Sequence, residues 1–167
     1  MSRGFVKEDD QEEAPFVPPR AALPEGVDNY VTPRGLAQLH EERQALEAER
    51  SLPRESEDAA RRARAIVDGR LALLDERIAS ARLVEPTEGP VKQVRFGCTV
   101  TVRFLGGPQE GTELTFTIVG VDEASVQEGR ISFLAPIARA LIGKRKGGRA
   151  AYTLGAGRQE MKVLAIA

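Results

Sequence analysis

Val94-Arg95-Phe96-Gly97-Cys98-Thr99-Val100-Thr101-Val102-Arg103 decides the fold. Apolar side chains at Val94, Phe96, Cys98, Val100 and Val102 alternate with Arg95, Gly97, Thr99, Thr101 and Arg103, the period of two that marks a half-buried strand. Upstream, the period is that of a helix. Ala63, Val67, Leu71, Leu74, Ile78 and Ala81 recur at steps of three and four, with Ile66 and Leu73 widening the stripe. One apolar stripe of that kind buries one helix face. The chain therefore changes architecture near Pro86, Gly89 and Pro90.

The helical part reads as two arms. Thr32 is a suitable N-cap and Pro33 suits the first helical position. Leu36, Leu39 and Leu46 then share a face, and Leu52-Pro53 closes the arm because the residue before a proline avoids helical geometry. A second helix is expected from Ser56 to about Leu83, with Gly69 inside it at a cost of about 1 kcal/mol relative to alanine. Two amphipathic helices joined by a few residues make an antiparallel hairpin. Beyond Val94, Leu114–Gly120 pairs with the first strand across a Gly106-Gly107-Pro108 turn. Ile131–Phe133 is a short strand, Ile137–Ile142 a short helix opened by Pro136, and Ala150–Leu154 and Glu160–Ile166 are the last strands. The fold class is α+β: an N-terminal helical hairpin, residues 31–85, then a sheet with one helix, residues 91–167. Residues 1–30, acidic and rich in proline, are expected to be a disordered tail, with Phe5, Phe16 and Val17 as its few apolar side chains able to dock.

Composition excludes several functions. The 167 residues hold one cysteine, Cys98, and one histidine, His40, so neither a disulfide within the chain nor a multi-histidine metal site can form. Cys98 reads as a small buried hydrophobe and His40 as an exposed residue of the first helix. No apolar run reaches the roughly 18 residues of a membrane span, and a cytoplasmic protein is expected. Neither glycine-rich turn precedes a helix bearing Lys-Ser/Thr, so neither is a phosphate loop. No nucleophile–base constellation can be assembled, and no enzymatic activity of its own is expected. Charge is graded along the chain: net −4 over residues 1–31, −1 over 32–85 and +4 over 86–167. Lys144, Arg145, Lys146 and Arg149 form a basic patch to which the acidic Glu8–Glu13 run can fold back. Glu55, Glu57 and Asp58 form an acidic group near the hairpin tip, suited either to a hard divalent cation or to a helix N-terminus.

Several stretches resemble the GreA/GreB family of bacterial transcription elongation factors. The first helix opening, Thr32-Pro33-Arg34-Gly35-Leu36, is similar to that family's helix start, and Gly69-Arg70-Leu71 through Arg82-Leu83-Val84 to the end of its second helix. More specific are Val94–Val100, Ile118-Val119-Gly120, Ile131-Ser132 and Pro136-Ile137-Ala138-Arg139-Ala140-Leu141-Ile142-Gly143-Lys144 in the C-terminal half. The resemblance implies an antiparallel coiled coil followed by an FKBP-like domain, and RNA polymerase as partner. It implies that the C-terminal domain docks at the rim of the polymerase secondary channel, with Ser132, Phe133, Leu134 and Pro136 as docking residues, and that nucleic acid is met only indirectly, by a monomer. In the family, acidic tip residues help hold a second Mg²⁺ in the polymerase active site. Here those acidic places fall at Arg50 and Pro53, Leu134 and Ala135 replace an Asp and a Ser in the docking loop, and each arm is shorter by about 12 Å. The implied activity is modulation of elongation without efficient transcript cleavage, with no cofactor of its own and Mg²⁺ shared with the polymerase only if the tip is active. The alternatives are a cleavage factor with a relocated acidic tip, or a short-coil regulator like the regulator of nucleoside diphosphate kinase. Prolyl isomerase activity follows only from fold analogy.

Overall fold

The computed structural model describes residues 14–167. Helix α1, Pro33–Arg50, starts at Thr32, whose Oγ1 accepts the Gly35 amide hydrogen. Helix α2, Glu57–Ala79, starts at Ser56, whose side chain accepts from the Ala59 amide. The two run antiparallel around a narrow seam of Leu39, Leu46, Val67 and Leu74, all buried. Each helix contributes at seven-residue spacing, the repeat of a coiled-coil seam. Ion pairs flank the seam in the same register: Arg43–Asp75 at 2.8 Å and Arg50–Asp68 at 2.5 Å, with Glu49–Arg70 beside them. At 1.5 Å per residue the longer arm reaches about 35 Å.

The base of the hairpin is clamped by a two-stranded parallel sheet, β1 (Asn29–Val31) with β2 (Ala81–Leu83). This corrects the expectation that the second helix continues to Leu83. The helix stops at Ser80 because the buried Asn29 donates to the Arg77 carbonyl at 2.9 Å and to Ser80 Oγ at 3.2 Å. Beyond it the chain pairs with β1 rather than with itself. Residues 14–30, part of the stretch expected to be a tail, make specific contacts with the hairpin and the sheet domain. Val17 packs on Gly69, and Arg20 is held at both ends of its guanidinium. The Glu8–Glu13 run and Phe5 lie outside the described residues.

The second unit is a five-stranded sheet in the order β5-β4-β3-β7-β6: β3 (Thr99–Gly106), β4 (Glu113–Val119), β5 (Arg130–Ser132), β6 (Arg149–Leu154) and β7 (Gly157–Ile166). It is antiparallel except at β4–β5, where Gly120–Gly129 carry the chain back so that Arg130 lies beside Thr117. The alternating stretch from Val94 enters the sheet only at Thr99. Gly97, at φ +83°, turns the chain, and Val94 instead exchanges 2.7 Å backbone bonds with Gly143 and Lys144. Helix α3 (Pro136–Leu141) covers the inner face. Val100, Val102, Phe116, Ile118, Met161, Val163, Ala138 and Leu141 form the core beneath it.

Candidate docking loop, hairpin tip and the joint between them

The loop from β5 into α3 is the part of the sheet domain for which the sequence suggested docking. Its residues divide between structure and surface. Ser132 turns back on its own loop: its Oγ accepts from the Leu134 amide at 3.2 Å and its carbonyl from the Ala135 amide at 2.9 Å. This is a Ser/Thr turn, which fixes a corner without a partner. Phe133 is half-buried in an aromatic trio. Its ring centroid lies 5.8 Å from Tyr30 and 5.7 Å from Phe96, edge-on to both, within the range of favourable aromatic pairs. Leu134 is half-exposed and Pro136 exposed. Pro136 and Ile137 border a shallow apolar groove of about 370 Å³, shared with Val126, Tyr152 and Leu154. Val126 and Leu154 are 81% and 64% exposed, which makes them the apolar surface this side of the domain offers. The loop residues named from sequence thus divide: Pro136 is exposed and borders the groove with Ser132, whose hydroxyl and carbonyl also fix the corner, Phe133 belongs to the aromatic trio, and Leu134 is half-exposed outside the groove.

At the hairpin tip, Glu57 and Asp58 occupy the first turn of α2, where carboxylates complement the helix macrodipole. Asp58 also faces Arg61 at 3.4 Å. Glu55 stands in the preceding turn, fully on the surface. Among the described residues, no group of three or more His, Cys, Asp or Glu side chains is placed to hold a metal ion. Arg50 closes α1 and is committed to Asp68 across the hairpin. The basic residues Lys144, Arg145, Lys146 and Arg149 are exposed on the loop between α3 and β6 and at the start of β6. His40 is exposed. Cys98 is buried, and burial pushes its thiol up from the ordinary cysteine range.

A third cluster escaped sequence reasoning. Asp122, in the corner after β4, receives Arg20 at 2.9 Å and lies 3.2 Å from Arg77, within ion-pair distance but without hydrogen-bond geometry. Arg20 also grips both carboxylate oxygens of Glu42 on α1, at 2.8 and 3.0 Å. Arg77 donates to the Ala21 carbonyl at 2.6 Å. Next door, the buried Glu123 accepts from Thr32 Oγ1 at 2.5 Å. Gly35 leaves the space for it, since a Cβ there would stand 2.7 Å from the carboxylate. Asp122 and Glu123 therefore join hairpin, N-terminal segment and sheet domain in one charged knot. A basic residue in a proline-rich stretch is the only trace of this in the sequence, and it does not name its partners.

These elements can be set beside known proteins. The family model described as the C-terminal part of the transcription elongation factors GreA/GreB matches residues 89–167. The Transcription elongation factor GreA of Hyphomonas neptunium is 38% identical over 108 residues, covering 65% of this chain and 67% of that protein. The chain belongs to the GreA/GreB family. The GreA of Chloroflexus aggregans is 36% identical over 112 residues, covering 67% of this chain and 69% of that relative. Among solved structures, the GreA factor homolog 1 (Gfh1) of Thermus thermophilus aligns over 84% of this chain and 99% of its own at 22% identity, with a TM-score of 0.39. As a GreA/GreB-family factor the chain joins a helical hairpin to a sheet domain. No described helix is long and apolar enough to cross a membrane.

Proposed function

We propose that this GreA/GreB-family factor binds RNA polymerase at the secondary channel through the sheet domain, enters with the hairpin and modulates elongation without efficient transcript cleavage. The observation that carries this reading is the tip. Arg50 and Pro53 stand where the family resemblance puts acidic residues, and Arg50 is held by Asp68. A guanidinium repels a divalent cation, whereas two-metal cleavage requires carboxylates that draw one in. The half-exposed Leu134 and the exposed Pro136, with the apolar groove that Pro136 borders, supply the docking contact. In this reading the factor has no catalytic group and no cofactor of its own, and acts in the cytoplasm as a monomer.

The test is transcript cleavage on backtracked complexes of the cognate polymerase, run beside a pull-down with the same enzyme. Binding without cleavage is expected, with Leu134→Asp/Pro136→Gly reducing binding at least tenfold. Cleavage that disappears in Glu55→Ala/Glu57→Ala/Asp58→Ala would replace this reading with a cleavage factor whose acidic tip has moved. Absence of binding would overturn this reading, move the search to a different partner and leave the likeness to polymerase-binding relatives as one of fold only.

A further inference from the structure

The outer face of the sheet carries a charge arrangement that the fold does not require. Arg149 on β6 is the register partner of Lys162 on β7, and Lys162 is the register partner of Arg103 on β3. Paired residues on neighbouring strands point to the same face. That face is the solvent side, because the flanking Ala150, Met161, Val163, Val102 and Phe104 are buried. Three cations thus stand in a row across adjacent strands about 4.8 Å apart. Among the described residues only the last has an ion-pair partner, Glu113 at 2.5 Å. Among the described residues Arg149 and Lys162 make no salt bridge. Like charges directly opposed across strands are destabilising, so the row is a local cost that an anion would relieve.

The surroundings extend it. The loop bearing Lys144, Arg145 and Lys146 is tied to the same strand, Gly147 donating to the Val163 carbonyl at 2.8 Å and Val163 donating to Gly148 at 2.9 Å. From residue 131 to 159 the sequence has six basic side chains and no acidic one, and Glu160, the carboxylate beside Lys162 on the same face of β7, is paired with Arg158 at 3.3 Å. The row itself holds no aromatic side chain, and Thr99–Thr117 and Thr101–Thr115, further along the face, bond to each other. A protein partner is ordinarily held by aromatic or aliphatic anchors in a buried centre, which this row does not offer. A line of cations with nothing to read a base suits a chain of phosphates.

We propose that the outer sheet face, centred on Arg149 and Lys162 and extended by Arg103 and the Lys144–Lys146 loop, directly binds the phosphate backbone of a nucleic-acid strand without reading its sequence. Contacts of this kind are weak and strongly salt-dependent, with dissociation constants of roughly 10⁻⁴–10⁻⁶ M and a logarithmic salt slope of about −0.7 per phosphate for single strands.

The test is fluorescence anisotropy of the full chain with a labelled mixed-sequence single-stranded oligonucleotide of about 20 residues, between about 50 and 200 mM salt. Arg149→Gln/Lys162→Gln is expected to weaken binding at least tenfold at the low salt concentration. It should also flatten the slope by about 1.4, two phosphates' worth. The charge-matched Arg34→Gln/Arg64→Gln, on the exposed face of the hairpin, should change neither. The thermal midpoint of Arg149→Gln/Lys162→Gln should hold or rise, since the substitution relieves repulsion. No binding at low salt, loss that follows the hairpin pair instead, or a fall in the midpoint would overturn the proposal. So would displacement by polyglutamate at the same concentration of charges as by unlabelled oligonucleotide, which would point to an acidic protein surface.

Discussion

Arg20 shows how much one side chain can settle. Its guanidinium is mostly buried between Glu42 and Asp122, on two different elements. Removing one member of a buried pair ordinarily costs about 3–5 kcal/mol. Arg77 remains near Asp122, so Arg20→Ala is expected to cost less, about 1–2 kcal/mol, measured by urea unfolding. Its pH dependence has a definite sign. Hydrogen bonding from Arg20 holds the Glu42 carboxyl below its ordinary value of 4.5, more strongly than burial raises it. A carboxylate depressed in the folded state contributes stability that is present above its unfolded value and lost as pH falls through the folded one. The stability difference between the native chain and Glu42→Gln should therefore be full at neutral pH and shrink below about pH 4.5. A difference that stays constant to pH 3 would show that the pair does not hold the segment. None of this was legible in the sequence, because the partners of Arg20 lie 22 and 102 residues away.

At the scale of elements, local periodicity was enough. The Leu39–Leu46 and Val67–Leu74 steps announce the hairpin, and Thr32 and Ser56 announce where its helices start. What local signals missed was where elements stop. Nothing near Ser80 breaks a helix; Asn29, far back in the chain, ends it by taking the Arg77 carbonyl. The alternation from Val94 runs past the true strand start because Gly97 fits the outward place of the pattern, although its positive φ makes it a turn. Gly69 is the instructive intermediate. Inside a helix it costs about 1 kcal/mol, and its position in the sequence offers no reason. The reason is Val17, whose Cγ2 would lie 2.5 Å from a Cβ at that position. Gly69→Ala should leave α2 intact or slightly more stable while lifting residues 14–23 off it. Limited proteolysis should then cut in that segment at least several-fold faster with unchanged helical circular dichroism. Unchanged cleavage would mean that the segment is held by Arg20 and by the Arg77 bond to the Ala21 carbonyl rather than by Val17.

For the whole molecule, the question is whether hairpin and sheet domain behave as one cooperative unit. The hairpin's own buried cluster is small: Val31, Leu39, Leu46, Val67 and Leu74. A seam of that size is marginal for an isolated pair of helices in water, where most helix stability comes from packing against something else. What it packs against is the joint. Asp122 binds Arg20 and faces Arg77, Glu123 accepts from Thr32, the Tyr30 carbonyl closes on Gly120, and Phe133 meets Tyr30 and Phe96 edge-on while those two rings pack at a tilt. Phe133, named from sequence for the docking loop, contributes to this joint through its two ring contacts. Asp122→Ala/Glu123→Ala removes both carboxylates of the joint and leaves Arg20 and Arg77 without their link to the sheet domain. Differential scanning calorimetry should then resolve two transitions where the native chain gives one, with the hairpin melting first. The exposed pair Arg103–Glu113 provides the control, because a surface ion pair contributes only about 0–1 kcal/mol. Arg103→Ala/Glu113→Ala should keep a single transition close to the native midpoint. If the joint variant also melts in one step, the aromatic trio and not the carboxylates couples the two halves. Tyr30→Ala/Phe133→Ala would then be the pair that splits the curve.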